Sequence, residues 1–359
     1  MPWVTRSFSK GDIDRAGKSL VTLAQDDPAR EDAIAIVDNW RSCHAYPLQI
    51  IKMTLKNRAR KIDKDALIAQ RLKRRPSIEL KLRDNPNMKL SQMQDIGGCR
   101  AVLKSAKQVQ RLVRRYKKYD AKSPKDRSSW DGSEAFDYIL HPKPDGYRSV
   151  HLIFRFQSPS ADRKCFNGQR IEIQIRSKLQ HLWATAVETA QVFTGQALKS
   201  KYKNATEEWI RFFSLTSSAF ALRERCAPVP GTPESRDELI NELRRIMDSA
   251  NIMNIVWGWN STIHFLEERL DAKKSPDAYV FLLALDPTQR SLIIKPFSRD
   301  KLEAAQAAYE EKEKETESDP NIQVVLVAVE DVDALRKAYP NYYADTSEFM
   351  AAIELEINQ

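Results

Sequence analysis

Three short blocks, Asp95-Ile-Gly-Gly-Cys-Arg100, Asp145-Gly-Tyr-Arg-Ser-Val-His151 and Glu172-Ile-Gln-Ile-Arg176, bring two separated carboxylates, an aromatic ring and several cations into one stretch of chain. Asp95 precedes a Gly-Gly pair, where a loop can enter a strand closely. A carboxylate there suits Mg²⁺, which takes one or two carboxylates and completes its shell with phosphate oxygens and water. Glu172, Gln174 and Arg176 alternate with Ile171, Ile173 and Ile175, so on a strand one face is apolar and the other is acid, amide and base in succession. Glu172 on that face has two candidate roles, completing a metal site and drawing the proton from an attacking hydroxyl. Tyr147 follows the turn Pro144-Asp-Gly146 and is expected at a loop tip, where a base stacked on it gains ~1–3 kcal/mol. Lys143, Arg148 and His151 lie near enough in sequence to contact phosphates. Upstream, Arg71, Lys73, Lys81 and Arg83 supply charge to neutralise a triphosphate, and arginine can also lie flat on a purine. This inventory holds two nucleotides and a magnesium ion, and phosphoryl or pyrophosphoryl transfer is the first hypothesis. Each part taken alone has an ordinary counterpart: a turn aspartate, a half-exposed strand, a core tyrosine, a structural histidine, a solvated basic helix face.

Several elements must position these groups. Alternating or apolar runs predict strands at Gly98–Leu103, Tyr138–Leu140, Val150–Phe156 and Arg170–Ile175, and helices at Ser105–Tyr119 and Leu179–Val192. The first sixty residues read as helical, with Trp40, Leu48, Ile51 and Leu55 on one apolar face. A basic tract from Arg58 to Arg75 comes next and is broken at Pro76-Ser77. Cys226-Ala-Pro-Val-Pro-Gly-Thr-Pro233 has linker composition. Beyond it, a helix is expected over Asp237–Leu270, strands at Tyr279–Leu285, Ser291–Lys295 and Gln323–Val329, and an acidic helix over Arg299–Glu317. The expected organisation is a helical segment 1–60, a nucleotide-handling domain 61–225, a linker 226–233 and an acidic α/β domain 234–359. Ala16-Gly-Lys-Ser19 has the ending of a phosphate-binding loop, but Asp12 holds its first glycine position and no strand precedes it.

Charge is divided unevenly. Residues 231–359 carry 14 Lys and Arg against 25 Asp and Glu, a net of −11, whereas residues 1–230 carry 44 against 24, a net of +20. A basic body suits nucleotides or RNA, or serves only as a solubilising surface. An apolar fraction of 42% supports a core, and no apolar run approaches the ~20 residues of a membrane helix. Met1-Pro-Trp-Val-Thr-Arg6 lacks the apolar stretch of a secretory signal, and the four cysteines have no paired spacing, so a reducing cytoplasm is the expected location.

In order, Arg71-Leu-Lys73, Ser77-Ile-x-x-Lys81-Leu-Arg83, the Asp95 block, Asp137-Tyr-Ile, Lys143-Pro-Asp-Gly-Tyr-Arg-Ser-Val-His151, the Glu172 block and Trp183-Ala…Glu188 resemble the RelA/SpoT-type synthetase domain over roughly residues 40–225. The resemblance implies a nucleotidyltransferase-like mixed α/β fold, a mixed sheet flanked by helices, here with a second, smaller α/β part. It implies transfer of pyrophosphate from ATP to the 3′-hydroxyl of GDP or GTP. Arg71 and Arg100 would then sandwich the adenine, and Lys73, Lys81 and Arg83 would bind the ATP phosphates. Asp95 and Glu172 would hold Mg²⁺, with Glu172 also activating the hydroxyl. Tyr147 would stack on the acceptor base, His151 and Lys143 would lie near acceptor phosphates, and Gln174 would orient the ribose. No His-Asp dipeptide occurs, so the hydrolase domain of long family members is not expected. Two other readings stand beside this one. In the first, the same site modifies the 3′ CCA end of tRNA, with Arg111, Arg114, Arg115, Lys117 and Lys118 as the RNA surface. In the second, the protein is a non-catalytic nucleotide sensor whose acidic part binds another protein. The acidic C-terminal part is also expected to fold back on the basic body and restrain it in cis, or to stand as an independent domain.

Overall fold

The computed structural model describes residues 3–120, 128–194, 207–249, 252, 255, 256, 278–286, 288, 289, 291–316, 319, 322–329, 332–343 and 345–358. Three helices come first: α1 (Lys10–Thr22), α2 (Pro28–Ser42) and α3 (Ala45–Arg60). Ser9 and Asp12 cap α1 reciprocally, while Asp27 and Pro28 start α2. The helical expectation for this segment holds, but not as one apolar face. Trp40 ends α2 in a cluster with Ile13, Leu20 and Ile78, whereas Leu48, Ile51 and Leu55 of α3 pack on the sheet. The chain turns at Cys43-His44, and Pro47, which has no N–H to donate, falls in the first turn of the new helix, where none is needed. Ala16-Gly-Lys-Ser19 lies inside α1. Gly17 is needed there for close packing, since a Cβ would come within 2.7 Å of Leu90.

The next elements are β1 (Leu67–Leu72), α4 (Arg75–Asp84), β2 (Gly97–Leu103), α5 (Ala106–Asp120), β3 (Ser128–Asp137), β4 (Val150–Phe156), β5 (Arg170–Ser177), α6 (Lys178–Thr194), α7 (Glu207–Arg223) and α8 (Arg236–Ser249). The C-terminal part adds β6 (Ala278–Asp286), β7 (Ser291–Ser298), α9 (Leu302–Glu315), β8 (Gln323–Ala328), α10 (Val332–Ala338) and α11 (Ser347–Ile357). The predicted strand Tyr138–Leu140 is a turn. β3 ends at Asp137, whose Oδ1 accepts the N–H groups of Ile139 and Leu140 and so withdraws them from the ladder. β1 lies within what reads in the sequence as a basic tract. The part of the predicted helix beyond Ser249, and most of residues 250–277, lie outside the described residues.

The eight strands among the described residues form one mixed sheet in the order β3-β4-β5-β2-β1-β8-β6-β7. The C-terminal strands therefore build no sheet of their own: β8 pairs antiparallel with β1, placing Arg71 opposite Val327. One face of the sheet is covered by α3, α5 and α9, and the other by α6, α7, α10 and α11. Residues 226–233 do not hang free, because Val229 is buried and its N–H donates to Ser218 Oγ on α7 at 2.8 Å. No helix among the described residues is long and apolar enough to cross a membrane.

Candidate active site

The site grows from the parallel pair β2–β5, in which Gly98 stands opposite Glu172 and Arg100 opposite Gln174. Gly97 permits that pairing, since a Cβ would lie 2.6 Å from Ile171 Cδ1. The Lys73 N–H donates to Ile96 O at 2.7 Å and ties the end of β1 to the start of β2. Lys73 is thereby set beside Asp95, and α4 brings Lys81 to the other oxygen. Lys73 Nζ lies 2.7 Å from Oδ2 and Lys81 Nζ 2.9 Å from Oδ1. Burial raises the Asp95 pKa, but the two ammonium groups outweigh it and hold the carboxyl well below the usual range. Arg83 does not join them: it turns outward to Glu79 at 2.8 Å, one helical turn back.

Glu172 begins a second, contiguous network. Its Oε1 is 2.8 Å from His151 Nδ1, and its Oε2 accepts from Gln174 Nε2 at 2.8 Å. His151 Nε2 is 2.7 Å from the Tyr147 hydroxyl, which also accepts from Arg176 Nη2 at 2.7 Å. Burial disfavours the Glu172 charge, yet His151 pulls its pKa down to about 2. Burial likewise opposes protonation of His151, but Tyr147 and Glu172 push it up to about 9. The nearby negative charge of Asp95 acts on Glu172 in the raising sense, so the two acids sense each other. Tyr147 is 9% exposed and is not held out at a loop tip. Gly146, at φ +92°, turns the chain back, and the ring lies between the cations of Lys143 (5.2 Å) and Arg176 (5.1 Å). Arg176 is a site residue that neither motif spacing nor family resemblance assigns a role. Its alternation with Glu172 and Gln174 is the one signal that points to it, and its buried Nε and Nη1 have no hydrogen-bond partner among the described residues.

Arg71 and Arg100 lie on neighbouring strands, Arg100 opposite Ala69. The C-terminal part brings Tyr339 close to both. The Arg100 guanidinium is 6.0 Å from the Tyr339 ring centre and donates to Ala338 O at 3.4 Å. The Tyr339 hydroxyl donates to Gln70 O at 3.3 Å. His181 of α6 donates from Nε2 to Lys337 O at 2.9 Å, and burial together with the charge of Arg100 lowers its pKa to about 3, keeping it neutral. The last carbonyls of α10 thus point at an arginine and an imidazole, the favoured arrangement at a helix C-terminus. A second contact joins the parts behind Lys73. Arg41 is fully buried and donates to Lys73 O (3.0 Å), Tyr309 Oη (2.6 Å) and Glu313 Oε2 (3.1 Å), while Glu313 Oε1 accepts the Arg75 N–H at 2.9 Å.

Residues 70–206 match the family model described as a region found in RelA / SpoT proteins. The chain carries a RelA/SpoT region. That region spans Arg71, Lys73, Lys81, Asp95, Arg100, Lys143, Tyr147, His151, Glu172 and Gln174. No curated protein sequence matches the chain. Among solved structures, it is similar to the small alarmone synthetase 1 from Bacillus subtilis bound to its product pppGpp, at 21% identity over 50% of this chain and 87% of that one, TM-score 0.40. It is similar to a GTP pyrophosphokinase family protein from Streptococcus pneumoniae at 20% identity over 55% and 89%, TM-score 0.40. It is also similar to the complex between the Type VI effector Tas1 and its immunity protein, at 14% identity over 59% and 94%, TM-score 0.28.

Proposed function

We propose that the RelA/SpoT region is a magnesium-dependent pyrophosphokinase that moves pyrophosphate from ATP to the 3′-hydroxyl of GDP or GTP and releases AMP. The observation that carries this reading is the pairing of two ionised acids, Asp95 held by Lys73 and Lys81 and Glu172 held by His151 and Gln174, at the ends of adjacent parallel strands. In the reaction the acceptor 3′-oxygen attacks the β-phosphorus, the bond from that phosphorus to the α-bridging oxygen breaks, and the hydroxyl proton leaves to a base. Such transfer needs positioning and charge neutralisation more than a covalent intermediate.

The donor set fits Mg²⁺. Two carboxylates ionised at neutral pH supply hard oxygens, and among the described residues no third acid or histidine makes a closed all-protein cage, so substrate phosphates would fill the shell. When bound, the ion would polarise the phosphoryl oxygens. Lys73 and Lys81 would turn from Asp95 to the phosphates. Glu172 at a pKa of about 2 is a weak base, and it gains basicity only if an acceptor disturbs its contact with His151. Arg176, with two unpartnered donors beside Tyr147, is the added acceptor-side cation.

A second acceptor is favoured by one feature. Arg111, Arg114 and Lys117 are exposed at three-residue spacing on α5, a ridge suited to an RNA backbone and hence to the tRNA 3′ end. Incubation of the full chain with labelled ATP and GDP, GTP or bulk tRNA separates the two. Label in a guanosine nucleotide supports the first reading, label in RNA the second, and label in neither defeats both.

The C-terminal part is read as a restraint in cis. Tyr339 packs near Arg100 and within electrostatic reach of Arg71, the two residues expected to hold a donor base, which supports blocked ATP binding until that segment lifts.

A further inference from the structure

The turn from β1 into α4 carries both lysines that hold Asp95. Lys73 lies in the turn itself, and Lys81 lies on α4 about 9 Å along the helix axis from Arg75. A small rotation of the turn therefore moves both ammonium groups relative to Asp95. The backbone of the turn is held from three directions. The Lys73 N–H donates to Ile96 O at 2.7 Å, Lys73 O accepts from Arg41 Nε at 3.0 Å, and the Arg75 N–H donates to Glu313 Oε1 at 2.9 Å. The last of these comes from α9, in the C-terminal part. It supplies what α4 lacks. Arg74 stands at the N-cap of α4 but makes no side-chain capping bond, and Pro76 in the first turn has no N–H. The Arg75 N–H is buried, so its acceptor must come from the protein. A carboxylate there meets both the N–H and the positive end of the helix dipole.

Glu313 acts on the turn twice. Its Oε2 accepts from Arg41 Nη1 at 3.1 Å, so the carboxylate that caps α4 also steadies the guanidinium bonded to Lys73 O. Tyr309 joins the two, accepting from Arg41 and donating to Glu313, and Asp38 is the second acid on Arg41. We infer that Glu313, together with Arg41, is a positioning residue for the phosphate-binding lysines Lys73 and Lys81. The inference rests on the pyrophosphokinase reading, in which those lysines turn to the phosphates of ATP. The C-terminal part then has two opposed effects on the donor side: α9 supports it, while the segment around Tyr339 restrains it. Support of this kind requires α9 to stay seated when residues 332–343 lift.

The test is steady-state transfer by the full chain carrying Tyr339→Leu, which removes the ring facing Arg100, with ATP and the acceptor varied in turn. Adding Glu313→Ala is expected to raise the KM for ATP and to lower kcat/KM for ATP by about 10–10²-fold, while the KM for the acceptor stays unchanged. Glu313→Gln keeps an acceptor for the Arg75 N–H and should recover all but about threefold of the loss, the share of the missing charge at the helix terminus. Leu243→Ala, a truncation of a buried side chain on α8, is the control for lost stability. A smaller folded fraction lowers the apparent kcat and leaves both KM values as they were. The inference is overturned if Glu313→Ala follows that control, if it raises both KM values alike, or if it raises transfer, which would assign Glu313 to the restraint. Should Glu313→Ala fail to melt cooperatively, Glu313→Gln decides: a rise of about threefold in the KM for ATP supports the inference, and an unchanged KM overturns it. Titration with the α,β-methylene analogue of ATP, whose bridge cannot be cleaved, reads positioning apart from the reaction. If the parent chain binds the analogue but makes no product, the pyrophosphokinase reading falls, and weaker binding in Glu313→Ala still supports positioning while equal binding overturns it. Absence of analogue binding by the parent chain removes both.

Discussion

The two acids and the two arginines of the RelA/SpoT region are balanced by different parts of the chain. Asp95 and Glu172 are held by Lys73, Lys81, His151 and Gln174, all from strands and a helix of the region itself. Arg100 is held by Ala338 and Tyr339, more than two hundred residues away, and β1, which carries Arg71, gains β8 as its neighbour from the same distance. The acid side takes its side-chain partners from within the region, and the C-terminal part reaches it only indirectly, behind Lys73, through Arg41 and Glu313. The arginine side takes its partners from the C-terminal part.

The sharpest way to break this contrast is to remove an acid. Glu172→Gln keeps the size of the side chain but removes its charge, and Asp95→Asn does the same beside two lysines. Each is expected to lower pyrophosphate transfer by about 10²–10⁴-fold while leaving the C-terminal part seated. Single-turnover assays with labelled ATP check the first statement, and protease resistance near Tyr339 checks the second. Retained transfer in Glu172→Gln would show that the acid network is structural only.

Next in size is the contact behind Lys73. Glu313→Ala leaves the fully buried Arg41 with Asp38 as its acidic partner and removes the acceptor of the Arg75 N–H, a change expected to cost about 3 kcal/mol, the low end for breaking a buried ion pair. Urea unfolding measures it. Tyr309→Phe removes two hydrogen bonds, one accepted from Arg41 and one donated to Glu313, and should cost ~1–3 kcal/mol. Tyr339→Leu acts on the restraint itself: it keeps apolar bulk but removes the ring facing Arg100. If blocking of the donor side is the mechanism, transfer should rise by about 5–150-fold, the range of ordinary coupling energies. Unchanged transfer with intact folding would dismiss the restraint.

Which features can be read from the sequence depends on the same division. Val150–Phe156 and Arg170–Ile175 announce themselves through alternating or apolar runs, and the placement of His151 and Glu172 comes from those strands. β1 does not, because its charged and amide residues read together with the flanking basic tract. Arg83 shows the limit of motif spacing. On α4 it lies two residues past Lys81, about 200° around the helix, and so it leaves the site that Lys81 enters. Tyr147 sits in the turn its sequence predicts, but its burial depends on Trp183 and Phe213, elements that no local pattern connects to it. Tyr339 carries no local signal either. Its position depends on β8 pairing with β1 across the chain, information that periodicity does not contain.

The smallest expected effect uses pH to separate the two sides. His151, raised to about 9 from an ordinary value near 6.5, contributes stability that is full below 6.5 and lost as pH rises through about 9. Glu172, lowered to about 2, contributes stability that is present above about 4.5 and lost as pH falls through about 2. The acid network is therefore at full strength between about pH 4.5 and 6.5. His181 behaves in the opposite sense. With its pKa lowered to about 3, its contribution is present above about 6.5 and declines as pH falls toward 3, because the unfolded chain takes up a proton that the seated imidazole beside Arg100 refuses. Acidification from about pH 7 to 4.5 should thus loosen residues 332–343 while leaving 150–156 and 170–177 protected. Hydrogen exchange corrected for intrinsic rates reads both at once, and His181→Asn, which retains a donor toward Lys337 O but does not titrate, should abolish the acid sensitivity. Equal loss of protection in both regions would mean that the two sides open as one unit, and the distinction between a self-sufficient acid network and a dependent arginine side would fail.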